Sequence, residues 1–142
     1  LAPHLLDIYL FLFKKLPNKN NFLIKSKNEN KNIDYAIFGY SNEKFICKFT
    51  TSLIDWKNKF EINIIGSNGS LHIQSLCKWS DSKFIYRKRI KPSGIPKEQI
   101  FLEKKGDPTW ELEHKHFFKK QNQSIVNYKN DLLIKNYIDS IF

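Results

Sequence analysis

The chain has four histidines, fourteen carboxylates and two cysteines, so few places in it can support acid–base or ligand chemistry. His4 and Asp7 stand three residues apart near the start, a spacing that puts two side chains on one face of a helix. Imidazole titrates at about pH 6.5, so a histidine there can take or give a proton near neutrality. The plainer alternative is a histidine at a helix start that is merely capped or exposed, with Asp7 a solvated first-turn carboxylate suited to the helix dipole. Trp110 and Glu113 repeat the three-residue spacing late in the chain, where they could line a pocket or its rim. An aromatic opening an amphipathic helix is more often core, and Glu113 could equally buttress that helix. His114 and His116 flank Lys115 on opposite sides of a helix and cannot share one metal ion. Arg87, Lys88 and Arg89 alternate along a strand. They could meet a phosphate or carboxylate, but a charged edge strand that resists aggregation explains them more simply. Cys47 and Cys77 lie far apart, outside any C-x-x-C pair or zinc-like spacing, so no metal site is expected. Two buried thiols in a reducing compartment are expected, a disulfide being the alternative.

The elements that must position these residues read as follows. Residues 1–15 predict a helix, with Leu5, Ile8, Tyr9 and Leu12 at helical spacing, Lys14 and Lys15 in the last turn, and Pro17-Asn18 as the stop. Phe22 to Ile24 opens a strand. Ile33 to Tyr40 and Lys44 to Thr50 predict a hairpin around Ser41-Asn42-Glu43, with Phe45, Cys47 and Phe49 together on a buried face. Lys59 to Ile65 alternates, with Phe60, Ile62 and Ile64 on one side. Gly66-Ser67-Asn68-Gly69 then signals a tight turn in which Asn-Gly takes positive φ, leading into Ser70 to Ile73. Further strands are expected at Phe84 to Ile90 and Gln99 to Glu103, separated by the loop 91–96. Thr109 is the expected cap of a helix over Trp110 to Lys120, with Trp110, Glu113, His114 and Phe117 on one face. A last helix runs from about Asn130 to Phe142 with Leu133, Tyr137 and Ile141 in its stripe, widened by Leu132 and Ile134. The order, a helix, many antiparallel strands and two helices, gives an α+β class with helices on one face of a large open sheet.

The chain has 142 residues, 41% of them hydrophobic, which is a globular composition of single-domain size. Its net charge is +10, nearly all from lysine, since Arg87 and Arg89 are the only arginines. Base-reading proteins lean on arginine for bidentate contacts, so nucleic acid is not the expected partner. The apolar run from Leu5 to Phe13 is too short to span a bilayer and contains Asp7, and no charged segment precedes it; neither a membrane nor a secretory signal is expected. Methionine is absent and the chain opens inside an apolar run, so we expect a piece cut from a longer protein. Gly66-Ser67-Asn68-Gly69-Ser70 lacks the G-x-G-x-x-G pattern and joins two strands, so these residues are not expected to bind a dinucleotide.

Several of these patterns occur together in a recognisable order. Leu1-Ala2-Pro3-His4-Leu5-Leu6-Asp7 looks like the histidine end of a D-x-x-x-H-x-x-D segment whose first Asp would fall just before Leu1. A hairpin ending at Thr51-Ser52…Trp56 follows, then Phe60-Glu61-Ile62-Asn63-Ile64-Ile65-Gly66-Ser67-Asn68-Gly69-Ser70-Leu71, then Trp110-x-x-Glu113-x-x-x-Phe117 and a closing amphipathic helix. Over nearly its whole length the chain resembles the C-terminal domain of the Gfo/Idh/MocA oxidoreductases, the family of glucose–fructose oxidoreductase and inositol dehydrogenase. The E-I-x-I-x-G-x-x-G-S-L run is the most specific part of the likeness.

The resemblance implies a single glyceraldehyde-3-phosphate-dehydrogenase-like domain over 1–142, on the substrate side of a cytoplasmic enzyme whose N-terminal Rossmann domain binds NAD or NADP. It implies a sugar, sugar derivative or cyclitol as substrate, and a homo-oligomer assembled through the open sheet face. His4 matches the family's catalytic histidine, which takes or orients the hydroxyl proton as hydride leaves carbon. Asp7, Trp110 and Glu113 are the implied substrate-binding residues. The family's E-K-P lysine would lie in the missing domain, so no turnover is expected from this piece alone. A non-catalytic domain serving sheet-mediated assembly is the alternative, and a basic nucleic-acid-binding module a more distant one.

Overall fold

A computed structural model describes residues 1–76, 80–104, 106–119 and 128–142. The element order is α1 (Ala2–Phe13), β1 (Phe22–Ser26), β2 (Tyr35–Ser41), β3 (Ile46–Ser52), β4 (Glu61–Gly66), β5 (Gly69–Gln74), β6 (Ser82–Lys88), β7 (Lys97–Glu103), α2 (Thr109–Lys119) and α3 (Tyr128–Asp139). The α+β class is as expected. The single large sheet is not: the strands form two antiparallel sheets, β1-β2-β3 and β4-β5-β6-β7. The ladder breaks because no residue between Ser52 and Glu61 is in a strand, and Trp56 in that stretch is fully exposed. The chain accordingly divides into two compact units, one holding α1, β1–β3 and α3, the other β4–β7 and α2.

In the first unit helices cover a sheet. Leu6, Tyr9 and Leu10 of α1 meet Phe38 of β2, Cys47 and Phe49 of β3, and Ile134 and Ile141 at the C-terminus in one buried cluster. Leu6 and Phe38 are wholly buried. Phe49 stacks on Phe38 at 5.1 Å between ring centroids and takes the edge of Tyr9 at 5.6 Å. Each such ring contributes roughly 1.5–3 kcal/mol through burial, and more through the ring geometry.

The β2–β3 hairpin forms in the expected place. Asn42 closes it, its side-chain carbonyl accepting the Lys44 and Phe45 amides at 2.9 and 2.8 Å. Cys47 and Phe49 are buried as expected, but Phe45 is 40% exposed because the strand begins only at Ile46. Gly39 has no substitute: a Cβ there would lie 2.0 Å from the Cys47 carbonyl oxygen.

Asp34 organises the loop between β1 and β2. It is 2% exposed, and its carboxylate accepts backbone N–H groups of Asn28, Glu29 and Asn30 at 2.7–3.1 Å, plus the Asn28 side-chain amide. Burial pushes its pKa up, but the hydrogen bonds from Glu29, Asn28 and Asn30 outweigh that and bring it down to about 2.

Two helices differ from their expected reading. α1 ends at Phe13, and Lys14, expected in its last turn, is instead the left-handed cap (φ 59°), its amide bonded to the Leu10 carbonyl. α3 already includes Tyr128, two residues before the expected Asn130; it buries Ile134 and half-buries Tyr137 and Ile138, and Ile141 just beyond it is buried too, while Leu132 and Leu133 are 42% and 52% exposed. That stripe runs i, i+3, i+4, i+7, the helical period; a strict four-residue repeat drifts off the face.

The second unit is a four-stranded meander. β4 and β5 meet at Gly66↔Gly69 around Ser67-Asn68. Positive φ among the described residues falls on Lys14, Ser75 and Gly94, so Asn68-Gly69 does not make the expected positive-φ turn. Gly69 is needed for space instead, since a Cβ there would lie 2.3 Å from the Arg87 carbonyl oxygen. β6, which carries Arg87 and Lys88, lies between β5 and β7 and is not the charged edge expected of it. α2 starts one residue earlier than Thr109 as cap would imply: Pro108 offers the first helical carbonyl to Leu112, and the Asp107 carboxylate accepts the Thr109 amide at 3.0 Å. No residue of α2 is buried, which overturns the core role expected for Trp110, 69% exposed.

Candidate functional site

Packing α1 against α3 leaves an open cleft beside their shared apolar seam. Pro3, His4 and Asp7 line it from α1, and Asp131, Ile134, Lys135 and Ile138 from α3, around a volume of about 400 Å³. The geometry follows from the helical period. Leu6, Tyr9 and Leu10 turn α1 toward the core, so His4 and Asp7 fall together on its flank. Ile134, Ile138 and Ile141 turn α3 likewise, and Asp131 and Lys135, one turn apart, fall on the facing flank. A second open depression of about 570 Å³ shares Asp7 and runs past Ile8, Phe11, Lys14 and Asn130.

The cleft therefore joins an imidazole, two carboxylates and an ammonium over an isoleucine floor. Lys135 is ion-paired to Asp139 one turn on, which lowers its call on Asp131. Exposed carboxylates accept hydroxyl hydrogen bonds, and a water-accessible imidazole exchanges protons. Among the described residues no three His, Cys, Asp or Glu side chains gather to hold a metal ion.

His4 and Asp7 are thus brought together, and Asp131 and Lys135 join them unforeseen. The signal for these two was the stripe of the last helix: centred on Ile134 and Ile138, it places Asp131 and Lys135 at its margin. Trp110 and Glu113 stand one turn apart on exposed α2 in the second unit. His114 is exposed, with its ring 4.5 Å from that of Phe118. Arg87 is engaged by Glu98 across β6–β7 at 2.5 Å, and Arg89 donates to the Ser67 carbonyl at 3.3 Å. Arg87 is thus held across the β6–β7 ladder and Arg89 against the β4–β5 turn. His72 on β5, which no spacing in the sequence marks out, has its Nε2 buried without a hydrogen-bond partner among the described residues.

Cys47 is a free, buried thiol, and burial pushes its pKa up to about 11. It is a core group and not a nucleophile at neutral pH. Tyr137, on the same core, is pushed up to about 12, by burial first and then by Cys47 and Tyr9. Cys77 lies outside the described residues.

A dinucleotide does not fit the glycines present. Gly66 and Gly69 join two antiparallel strands, with no helix N-terminus to receive a pyrophosphate. No helix among the described residues is long and apolar enough to cross a membrane. Compared with protein-family models, with curated proteins and with solved structures, the chain matches none.

Proposed function

We propose that this chain is the substrate-side and assembly portion of an NAD(P)-dependent oxidoreductase acting on hydroxyl groups of a sugar, sugar derivative or cyclitol. The observation that carries this is the cleft: His4 and Asp7 of α1 open onto it beside Asp131 of α3. The likeness of the opening segment, the E-I-x-I-x-G-x-x-G-S-L run and the W-x-x-E-x-x-x-F helix to Gfo/Idh/MocA enzymes supports it. In this reading His4 takes or orients the hydroxyl proton, and Asp7 accepts hydrogen bonds from the substrate. Trp110 and Glu113 are assigned to substrate binding on the helix likeness alone. NAD or NADP is held by another part of the parent protein, and these residues by themselves are not expected to turn over substrate. No hydride step is assigned to them.

A second reading, a non-catalytic assembly domain, draws on α2, whose Trp110, Phe117 and Phe118 are each more than half exposed. The two separate by calorimetry, with glucose and myo-inositol as probes. The oxidoreductase reading expects weak binding, on the order of millimolar (about −4 kcal/mol), reduced several-fold in Asp7→Asn and His4→Gln. Heat indistinguishable from dilution for both polyols at about 50 mM, far above that affinity, favours the assembly domain.

A further inference from the structure

We propose that β7 is a dimerisation edge: Lys97–Glu103 pairs antiparallel with the same strand of a second copy, about a twofold axis at Ile100. The contact is made by a strand edge and not by the sheet face.

β7 hydrogen-bonds to β6 on one side, and among the described residues no strand pairs with its other side. All seven of its residues are exposed. Ile100, Phe101 and Leu102 are 49%, 57% and 55% exposed. Monomeric proteins guard such an edge with a central lysine, a proline or a bulge. Gln99-Ile100-Phe101-Leu102 has no charge and no proline, and its register to β6 runs unbroken from Ser82↔Glu103 to Lys88↔Lys97.

Charge selects a second copy as the occupant. With Ile100 opposite itself, Lys97 falls opposite Glu103 of the partner subunit, and the contact occurs twice by symmetry. Within the chain Lys97 sits opposite Lys88, a like-charge pair that weakens the β6–β7 ladder. The partner subunit's Glu103 brings a carboxylate to that spot. Slipping the pairing by one residue one way sets Glu98 against a glutamate and Lys97 against a lysine; slipping it the other way loses both ion pairs. The register is therefore specified. It also carries the row Asn63–His72–Ile85–Ile100 through the axis into its own copy, extending the apolar strip around Ile85, the most buried side chain among the described residues of the second unit.

Sedimentation equilibrium on the 142-residue chain tests this. We expect a reversible dimer at micromolar concentration. Lys97→Glu removes the repulsion from Lys88, so its melting temperature should not fall, while dimerisation weakens about tenfold. Lys97→Glu with Glu103→Lys restores it. Under mild oxidation Ile100→Cys forms a 100–100 disulfide, found by peptide mapping, because directly opposed residues bring their Cα atoms within bonding range. A chain monomeric at about 100 µM overturns the proposal. So does a dimer that is indifferent to Lys97→Glu and forms no 100–100 disulfide, which puts the contact on another surface.

Discussion

The first unit has three strands and the second four, yet it is the smaller sheet that has a core. Eight side chains of α1, β2, β3 and the C-terminus close together over β1–β3, whereas in the second unit Ile85 alone is buried among the described residues. Both sheets alternate apolar and polar residues. The difference is the helices: α1 and α3 turn apolar stripes onto their sheet, while α2 buries nothing. Alternation makes a strand, but only a second layer makes a core. A sheet left largely uncovered among the described residues is where a partner is expected, and the edge at β7 is one such place.

The sharpest way to break this contrast is to truncate one apolar side chain in each unit. Phe38→Ala should cost about 3–5 kcal/mol, a large fraction of a domain's stability. Ile65→Ala, at a position 85% exposed, should stay within about 0.5 kcal/mol. Urea unfolding reads both, and equal losses would show that the two sheets are equally packed.

A smaller effect is the acid response of the first unit. Asp34 titrates at about 2 in the fold and about 3.9 when unfolded. Its contribution is thus complete above about pH 4 and is lost as pH falls through about 2. Asp34→Ala should lower stability at pH 6 and flatten the decline between pH 4 and 2. An unchanged acid profile would remove Asp34 from its organising role.

At the alkaline end Cys47 has the opposite sign. Its pKa is raised to about 11, so its contribution is intact below the unfolded value of about 8.5 and is lost as pH rises through 11. A thiol reagent at pH 8 should modify Cys47, followed by peptide mapping, only as fast as the first unit unfolds; immediate labelling would contradict its burial. Least of all, Leu112→Ala should leave the melting temperature unchanged within about 1 °C, since Leu112 is exposed on a helix that buries none of its described residues. A clear drop would mean that α2 is covered.

Much of the first unit is legible in the sequence. The helical spacing of Leu5, Ile8, Tyr9 and Leu12 and the turn at Asn42 are local signals that decide a helix and a hairpin, although the face that packs is Leu6, Tyr9 and Leu10, with Leu12 43% exposed. What was not legible depends on tertiary context. Whether β3 and β4 pair is decided by the intervening residues, and no periodicity reports it. Arg87 to Arg89 read as an edge because charge marks edges, but β7 claims that position. Gly69 read as a turn residue; its need is space against β6. At the site, His4 and Asp7 share a helix and could be paired from spacing alone. Asp131 could not, because its place depends on which of Leu133 and Ile134 faces inward, and both are apolar.

The account rests most on the cleft between α1 and α3, and backbone chemical-shift mapping with myo-inositol tests it directly. The expected result is a set of shifts at His4, Asp7, Asp131 and their helical neighbours, abolished in Asp131→Asn, with β4–β7 unmoved. Shifts centred on Arg87 to Arg89 or on α2, with none at His4, would contradict it.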